Sequence, residues 1–239
     1  MANKKVAILF FGLSKTLEKT INSIKENLLT PLTENSIHYD IFIHTYKIFG
    51  PYKNMWSNEN TANYKNEDIE KLLNPKYFIF DNQETIKNSI DFNEYYTNLG
   101  KWSGDMSEEL TKYLISNMCL ALYSKKEISL IFEKYKENYD YAIIIRPDLH
   151  LCNKIDINYF KQLNDNNIIV PEIEHWGGCN DRICIGTPNV ILQCGKLFDE
   201  LKAYSEKKSI RSEEYFLDKL QEKNITIIPK NIHYHHVRL

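Results

Sequence analysis

Residues 141–148 read Tyr-Ala-Ile-Ile-Ile-Arg-Pro-Asp, an apolar run followed at once by a cation, a proline and an acid. An uninterrupted apolar run of this length is typical of a strand that is buried on both faces of a parallel sheet. Pro147 fixes its own φ and has no N–H for the sheet ladder, so the strand is expected to end there. Arg146 and Asp148 are therefore predicted to lie at the carboxyl end of a buried strand, which is where open α/β sheets bind their ligands.

Strands and helices alternate on both sides of this segment. Residues 6–11 form a second continuous apolar run, which is followed by a helical pattern over residues 16–29. The remaining predicted strands are short segments rich in Ile, Val, Phe and Tyr, at residues 39–45, 76–80, 168–170, 183–185 and 225–228. This alternation predicts an α/β domain with a mostly parallel central sheet flanked by helices.

Polar residues mark the expected element boundaries. Asn66 is expected to cap a short helix, and Ser212 is expected to cap a later one. A long helical pattern begins at Ser107 and is expected to break once before the central strand, or to form two stacked helices. Residues 46–64 and 95–105 show no clean period and are expected to be loops over the site or at its rim.

Composition limits the classes of protein that the chain can belong to. The chain has 239 residues, a formal charge of −2 and a pI near 6.4, with acidic and basic residues interspersed. One domain with a substantial core fits this length, and nucleic acid is disfavoured as a partner because no basic patch stands out. The five cysteines include no Cys-x-x-Cys pair, which favours reduced thiols and a cytoplasmic location. No apolar stretch approaches the roughly 20 residues of a transmembrane segment. The apolar run at 6–11 has no cleavage site behind it, so we interpret it as a strand rather than a signal peptide.

Asp148 is the first candidate for chemistry. A carboxylate at a strand exit can hold a divalent cation whose other ligands are the oxygens of a diphosphate. Arg146 beside it would help to neutralise the charge of a phosphate leaving group. The alternative interpretation is that the two side chains only pair with neighbours at the sheet edge.

The C-terminal segment carries His233, His235 and His236. In an extended segment His233 and His235 point to the same face, so an imidazole there could complete a metal shell with Asp148. Clustered histidines near a terminus also occur without a function. A dedicated zinc site is less favoured because no cysteine shares their spacing.

Two loops and one helix start are further candidates. Residues 175–182 read His-Trp-Gly-Gly-Cys-Asn-Asp-Arg, in which glycines let the backbone approach a ligand and Asn and Asp can bind sugar hydroxyls. A tight turn with an Asx hydrogen bond has the same composition. Gly12, Ser14 and Lys15 follow the first strand and could contact a nucleotide, although neither a Walker loop nor a Gly-x-Gly-x-x-Gly fingerprint is present. Glu213 is explained by the dipole of the helix that it begins, or as a general base.

Five short segments occur in a familiar order along the chain. They are Ala-Ile-Leu-Phe-Phe-Gly at 7–12, Asp-Ile-Phe-Ile-His-Thr at 40–45, Tyr-Asp-Tyr through Arg-Pro-Asp-Leu at 139–149, Gly-Gly-Cys-Asn-Asp-Arg at 177–182 and Ser-Glu-Glu at 212–214. Together they resemble a family of small GT-A-type glycosyltransferases from large DNA viruses of algae and amoebae and from bacterial surface-polysaccharide clusters. The resemblance implies a single GT-A-like (Rossmann-like) domain, with a nucleotide-binding part over about 1–150 and an acceptor-side part over about 151–239.

The resemblance also implies a nucleotide-diphosphate sugar as donor, Mn²⁺ or Mg²⁺ as cofactor, and a glycan or lipid-linked acceptor. Asp148 stands where the family's Asp-x-Asp-like metal carboxylate is expected. Asp181 and Arg182 stand in its Asn-Asp-Arg segment, and Glu213 stands in its Pro-Glu segment. Arg146 replaces the first acid of the common Asp-x-Asp.

We therefore expect a metal-assisted glycosyltransferase that binds a nucleotide sugar across the carboxyl edge of its sheet. The expected catalytic residues are Glu213 or Asp181 as general base and Arg146 on the leaving diphosphate. The expected nucleotide-binding residues are Phe11, Gly12, Leu13, Lys15, His44 and Arg182. The expected metal ligands are Asp148, His235 and His233. A metal-dependent hydrolase that uses the C-terminal histidines and a non-catalytic carbohydrate-binding module are the alternatives.

Overall fold

A computed structural model describes residues 4–100 and 105–239 of the chain. Its strands are β1 Lys5–Phe11, β2 His38–Lys47, β3 Tyr52–Asn54, β4 Glu59–Thr61, β5 Tyr77–Asn82, β6 Tyr141–Ile145, β7 Leu149–Leu151, β8 Asn167–Pro171, β9 Ile183–Gly186, β10 Thr226–Lys230 and β11 Tyr234–His236. Its α-helices are α1 Leu17–Ile24, α2 Thr30–Glu34, α3 Ile69–Leu73, α4 Gln83–Ser89, α5 Glu108–Glu133, α6 Pro188–Gly195, α7 Phe198–Ser205 and α8 Ser212–Glu222. A π-helical turn at Lys25–Leu29 joins α1 to α2, and short 3₁₀ helices lie at Phe92–Tyr95, Lys136–Asn138 and Ile157–Gln162. No described helix is both long and apolar enough to cross a membrane.

The central sheet has the strand order β10-β8-β9-β6-β1-β2-β5. β1 pairs in parallel with β2 and β6, β2 pairs in parallel with β5, and β10 pairs in parallel with β8. β9 alone is antiparallel, to both β6 and β8. The predicted α/β class with a mostly parallel sheet flanked by helices is confirmed.

The strand order reverses between β1 and β6. From β1 the chain runs to β2 and β5 on one side, and it later returns to β6 on the other side of β1. The carboxyl ends of β1 and β6 therefore form a switch point, the place where open α/β sheets bind ligands. Because β9 is antiparallel, the loop from the end of β8 to the start of β9 reaches the same edge of the sheet.

Both faces of β1 are buried, which explains its continuous apolar sequence. Ala7, Leu9 and Phe11 belong to a core that also contains residues of α5, α6, α7 and α8. The intervening residues of β1 belong to a second core with residues of α1, α2 and α3. Full burial of a large apolar side chain contributes about 1.5–3 kcal/mol, so the two cores fix β1 and the switch point firmly.

Helix α5 is unbroken over Glu108–Glu133, so the expected break is wrong. Ser107 caps it by accepting a hydrogen bond of 3.2 Å from the Leu110 N–H. Ser124 and Lys125, in the middle of the helix, are buried and hydrogen-bonded to groups across the core. Polar residues that find such partners do not interrupt a helix.

Two expected caps are also wrong. Asn66 instead accepts from the N–H of Ile48 and donates to its carbonyl, and Asp68 caps α3. Ser212 instead donates a hydrogen bond of 2.6 Å to the carboxylate of Asp181. The expected loop at 46–64 contains the β3–β4 hairpin, and the expected loop at 95–105 lies partly outside the described residues.

Candidate functional site at the carboxyl edge of the sheet

Arg146 and Asp148 form a bidentate ion pair directly after β6. Arg146 Nε and Nη2 donate hydrogen bonds of 2.9 and 2.6 Å to the two carboxylate oxygens of Asp148. Thr20 of α1 donates a hydrogen bond of 2.7 Å to the Pro147 carbonyl and so fixes the turn between them. The side chain of Asp148 is 1% exposed, and that of Arg146 is 33% exposed. Burial alone would raise the pKa of Asp148, but Arg146, His236 and Arg238 together lower it below its ordinary value.

The C-terminal segment crosses the switch point. β11 pairs antiparallel with β7, and the Val237 N–H donates to the Asp148 carbonyl at 3.0 Å. Thr16 then donates to the Val237 carbonyl at 3.2 Å, so this segment also contacts the loop after β1. As a result Arg238 Nη1 lies 3.6 Å from Oδ2 of Asp148. Two arginines, not one, flank the buried carboxylate.

The structure does not bring His233 and His235 to Asp148. The side chains of a strand alternate in direction, and in this segment Tyr234 and His236 face the protein while His233 and His235 are exposed. His235 stacks on His150 with 4.6 Å between ring centroids, and its Nδ1 lies 3.5 Å from the thiol of Cys152. His233 Nε2 lies 3.4 Å from a carboxylate oxygen of Glu172.

His236 is the histidine that lies near the switch point. Its Nε2 lies 3.2 Å from a carboxylate oxygen of Glu174. Burial, and then the charge of Arg146, lower the pKa of His236 to about 4, against the raising effect of Asp148. The imidazole is therefore neutral at physiological pH.

The residues around Asp148 do not fit the Mn²⁺ or Mg²⁺ that the family resemblance implies. These hard cations need several oxygen ligands, whereas both oxygens of Asp148 already accept hydrogen bonds from Arg146. Within residues 4–100 and 105–239 no group of three or more His, Cys, Asp or Glu side chains is placed to hold a metal ion. A cation at Asp148 would have to break a bidentate charge-assisted pair and would lie beside two guanidinium groups.

Asp181, Arg182 and Glu213 form a second ion network beside this pair. Arg182 Nη2 donates to Glu213 at 2.8 Å, and its Nη1 lies 3.5 Å from Asp181. Asp181 is also bound by Ser212 and lies 3.9 Å from the ammonium of Lys125. The structure thus brings three of the predicted site residues together.

The two candidate bases differ in their protonation chemistry. Burial, followed by the charge of Asp181, raises the pKa of Glu213. Burial would also raise the pKa of Asp181, but Lys125 and Arg182 lower it below its ordinary value. A general base is more effective when its pKa approaches the working pH, so Glu213 is the better base of the two.

The loop between β8 and β9 has an unusual backbone. Glu174, Trp176 and Gly177 all have positive φ, at 55°, 45° and 83°. Such values are rare for residues other than glycine and often mark functional loops. Trp176 is 69% exposed. A cavity of about 320 Å³ opens beside this loop and is lined by residues including Gly177 and Glu214.

The loop after β1 differs in part from the predicted nucleotide-binding set. Phe11 and His44 are buried in the interior, so their side chains do not face the crevice. His44 instead bonds Ser124 at 2.8 Å and Asp81 at 3.0 Å. Leu13 packs against a small apolar cluster. The N–H of Gly12, at φ 90°, donates to Ser124 at 2.7 Å.

The side chain of Lys15 is also paired within the protein and does not face the crevice as a free cation. Its ammonium is buried in an ion pair with Glu59 of the β3–β4 hairpin. Burial is the main effect that lowers the pKa of Lys15, and Arg238 also lowers it. Lys15 therefore links the hairpin to the edge of the switch point.

Sequence reasoning missed several residues that build this site. All of them lie outside the five short segments on which the family resemblance rests: Glu59, Lys125, Glu174, His236 and Arg238. Only His236 could have been found from the sequence. Ile232 and Tyr234 alternate with His233, which indicates that even-numbered residues of this strand face the protein, and His236 is the next of them. A one-residue change of phase exchanges His235 for His236.

In fold, the chain is similar to mouse xyloside xylosyltransferase 1 in the crystal structure of its apo form. The TM-score is 0.44 at 10% sequence identity, over 95% of this chain and 84% of that chain. No family model matches the sequence. No curated protein matches it either.

Proposed function

We propose that the chain is a glycosyltransferase that moves a sugar from a nucleotide-diphosphate donor to a hydroxyl group of a glycan or glycolipid. The observation that supports this most strongly is the arrangement at the switch point of the sheet. The guanidinium groups of Arg146 and Arg238 lie there, together with the carboxylate of Glu213, whose pKa is raised. Leaving-group stabilisation needs cationic donors, and acceptor activation needs a base. Arg146 supplies the first function from the end of β6, and Glu213 supplies the second from the first turn of α8.

The reaction, with inversion at the anomeric carbon, divides between these residues as follows. Glu213 accepts the proton of the acceptor hydroxyl, and the acceptor oxygen forms its bond to the anomeric carbon. The bond between that carbon and the diphosphate oxygen breaks, and the nucleoside diphosphate leaves with the electron pair. Arg146 stabilises the charge that develops on the leaving oxygen. Arg182 holds Glu213 in position through its 2.8 Å hydrogen bond.

The acceptor enters from the loop between β8 and β9. The cavity beside Gly177 is lined by Glu214, which follows Glu213 in the first turn of α8. Exposed Trp176 offers an aromatic face on which a sugar ring can stack. The glycine backbone and polar lining favour a hydroxyl-rich acceptor over an apolar one.

Nucleotide sugars and a carboxylate substitution test this function together. A panel of UDP-, GDP-, dTDP- and CMP-sugars is screened for a raised melting temperature and for release of the free nucleotide. Glu213→Gln should lower turnover by about 10²–10⁴-fold, the usual contribution of a general base, with donor binding retained. Glu222→Gln is the matched control, because Glu222 lies at the far end of the same helix, outside the cavity lining, and pairs with Lys219 at 2.7 Å.

Two results would count against the proposal. Equal turnover in Glu213→Gln and the wild type would remove Glu213 from the role of base. A wild-type protein that binds sugars but releases no nucleotide from any donor would favour the non-catalytic carbohydrate-binding alternative.

A further inference from the structure

Arg146 and Arg238 are held together by one carboxylate oxygen. Arg146 Nη2 and Arg238 Nη1 lie 2.6 and 3.6 Å from the same Oδ2 of Asp148, so the two nitrogens are at most 6.2 Å apart. Asp148 is 1% exposed, whereas the side chains of Arg146 and Arg238 are 33% and 36% exposed. The carboxylate is thus behind the two guanidinium groups, and the guanidinium groups reach the surface.

Each guanidinium keeps donors for a ligand. Arg146 uses Nε and Nη2 on Asp148, and in the described parts of the chain its Nη1 has no hydrogen-bond partner. Arg238 approaches Asp148 at ion-pair distance, and among the same residues its guanidinium donates no hydrogen bond. A planar guanidinium with free N–H groups is well suited to bind phosphate oxygens.

The charges at this point favour an anion. At the pair itself Asp148 neutralises one of the two arginines, which leaves one positive charge. Farther out, Arg182 and Lys125 face the three carboxylates of Asp181, Glu213 and Glu174, so the positive excess is confined to Arg146 and Arg238. Lys15 is neutralised by its own partner Glu59 and therefore adds little to the balance. His236 is neutral because its pKa is lowered to about 4.

We propose that Arg146 and Arg238, oriented by Asp148, bind the diphosphate of the donor directly and take the place of a divalent cation. This inference rests on the proposed transferase function, and it adds that donor binding needs no metal ion. The arginines lie at the switch point between β1 and β6, where ligands of open α/β sheets are bound. The C-terminal segment thereby becomes part of the donor site through Arg238.

The test measures the binding of UDP, GDP, dTDP and inorganic pyrophosphate to the full chain by calorimetry, in EDTA and again with Mn²⁺. A diphosphate should bind with the same affinity in both buffers. Arg238→Gln should weaken binding by about 10-fold or more, the effect of losing hydrogen bonds from a charged group. Arg146→Lys should also weaken it, because a lysine keeps the charge but lacks the planar fork.

Lys196→Gln is the matched control. It also removes one positive charge from an ion pair, since Lys196 lies 2.6 Å from Glu133 and its side chain is 32% exposed. Glu133 ends α5 near the amino end of β6, at the opposite edge of the sheet. Diphosphate affinity should not change in this variant.

The outcomes separate this inference from the proposed function. Diphosphate binding that requires Mn²⁺, or that is unchanged in Arg238→Gln, would overturn the arginine clamp even where sugar transfer is observed. Metal-independent binding that is lost in Arg238→Gln supports the clamp, and a failure of every nucleotide sugar to turn over would then count against the transferase alone. Absence of any diphosphate binding would overturn the clamp.

Discussion

Replacement of Arg146 by methionine should destabilise the protein strongly at neutral pH. The substitution keeps an unbranched side chain but removes both hydrogen bonds to Asp148, which remains buried. Loss of one partner of a buried ion pair typically costs about 3–5 kcal/mol, because the other charge stays in a poorly solvated place. Arg238 at 3.6 Å still offers partial compensation, so we expect a loss near about 3 kcal/mol in the free energy of unfolding.

The loss should depend on pH in a defined direction. In the wild type the folded-state pKa of Asp148 lies below 3.8, so the pair contributes fully above that pH and its contribution is lost as pH falls through the lower folded value. Without Arg146, burial raises the pKa of Asp148, so the variant binds a proton on mild acidification. The difference between variant and wild type should therefore be largest near pH 7 and should shrink toward pH 4.

Urea unfolding followed by circular dichroism at several pH values measures these free energies. The double variant Arg146→Met with Asp148→Leu is the control, since replacing both charges by apolar groups is often neutral. It should recover most of the lost stability. A loss below about 1 kcal/mol at pH 7, the size expected of an exposed ion pair, or a loss independent of pH, would refute the claim that Asp148 depends on Arg146.

Gly178→Ala should lower both stability and turnover more than Gly177→Ala. A Cβ at Gly178 would lie 2.1 Å from the backbone of Glu213, so the backbone itself would have to move. At Gly177 the Cβ would meet only a side-chain oxygen at 3.6 Å, and the cost is the strain of its φ of 83°, about 1–2 kcal/mol. Thermal unfolding and turnover of both variants measure the difference, and equal losses would contradict it. His236→Gln should flatten the pH dependence of stability between pH 6.5 and 4. The pKa of His236 is lowered to about 4, so in this range the unfolded chain binds a proton that the folded chain does not, and stability falls by up to about 3 kcal/mol as pH falls. An unchanged slope in the variant, measured by urea unfolding, would assign the dependence to other groups.

The sequence predicts the sheet well because its signals are local. Continuous apolar runs at β1 and β6 report burial on both faces, and the structure places both strands at the centre of the sheet. β6 ends at Ile145, two residues before Pro147, where the strand is expected to end. Failures occur where a polar side chain has a tertiary partner, as for Ser212, whose hydroxyl bonds Asp181 rather than the end of its own helix.

The site is predictable only in part, because its geometry depends on contacts that are distant in sequence. The motifs name Arg182, Asp181 and Glu213 as candidates, and the structure brings Arg182 into contact with Glu213, 31 residues later in the chain. Nothing in the sequence pattern indicates that Arg238 reaches Asp148 across the sheet edge. That contact exists because β11 adds to β7, and strand pairing of this kind is set by tertiary packing.

On the arginine clamp proposed above, Arg146 determines which kind of ligand this edge of the sheet binds. Where two carboxylates follow a strand, they attract a cation, and the cation attracts a diphosphate. Where an arginine replaces the first of the two acids, it forms an ion pair with the remaining carboxylate, as the 2.6 Å contact between Arg146 and Asp148 illustrates. The acid then orients a cationic group instead of binding one, and the same diphosphate can be bound without an intermediate ion. On this reasoning a metal requirement and the Arg146–Asp148 pair exclude each other, so restoring an acid by Arg146→Asp should weaken diphosphate binding in EDTA and make it respond to Mn²⁺.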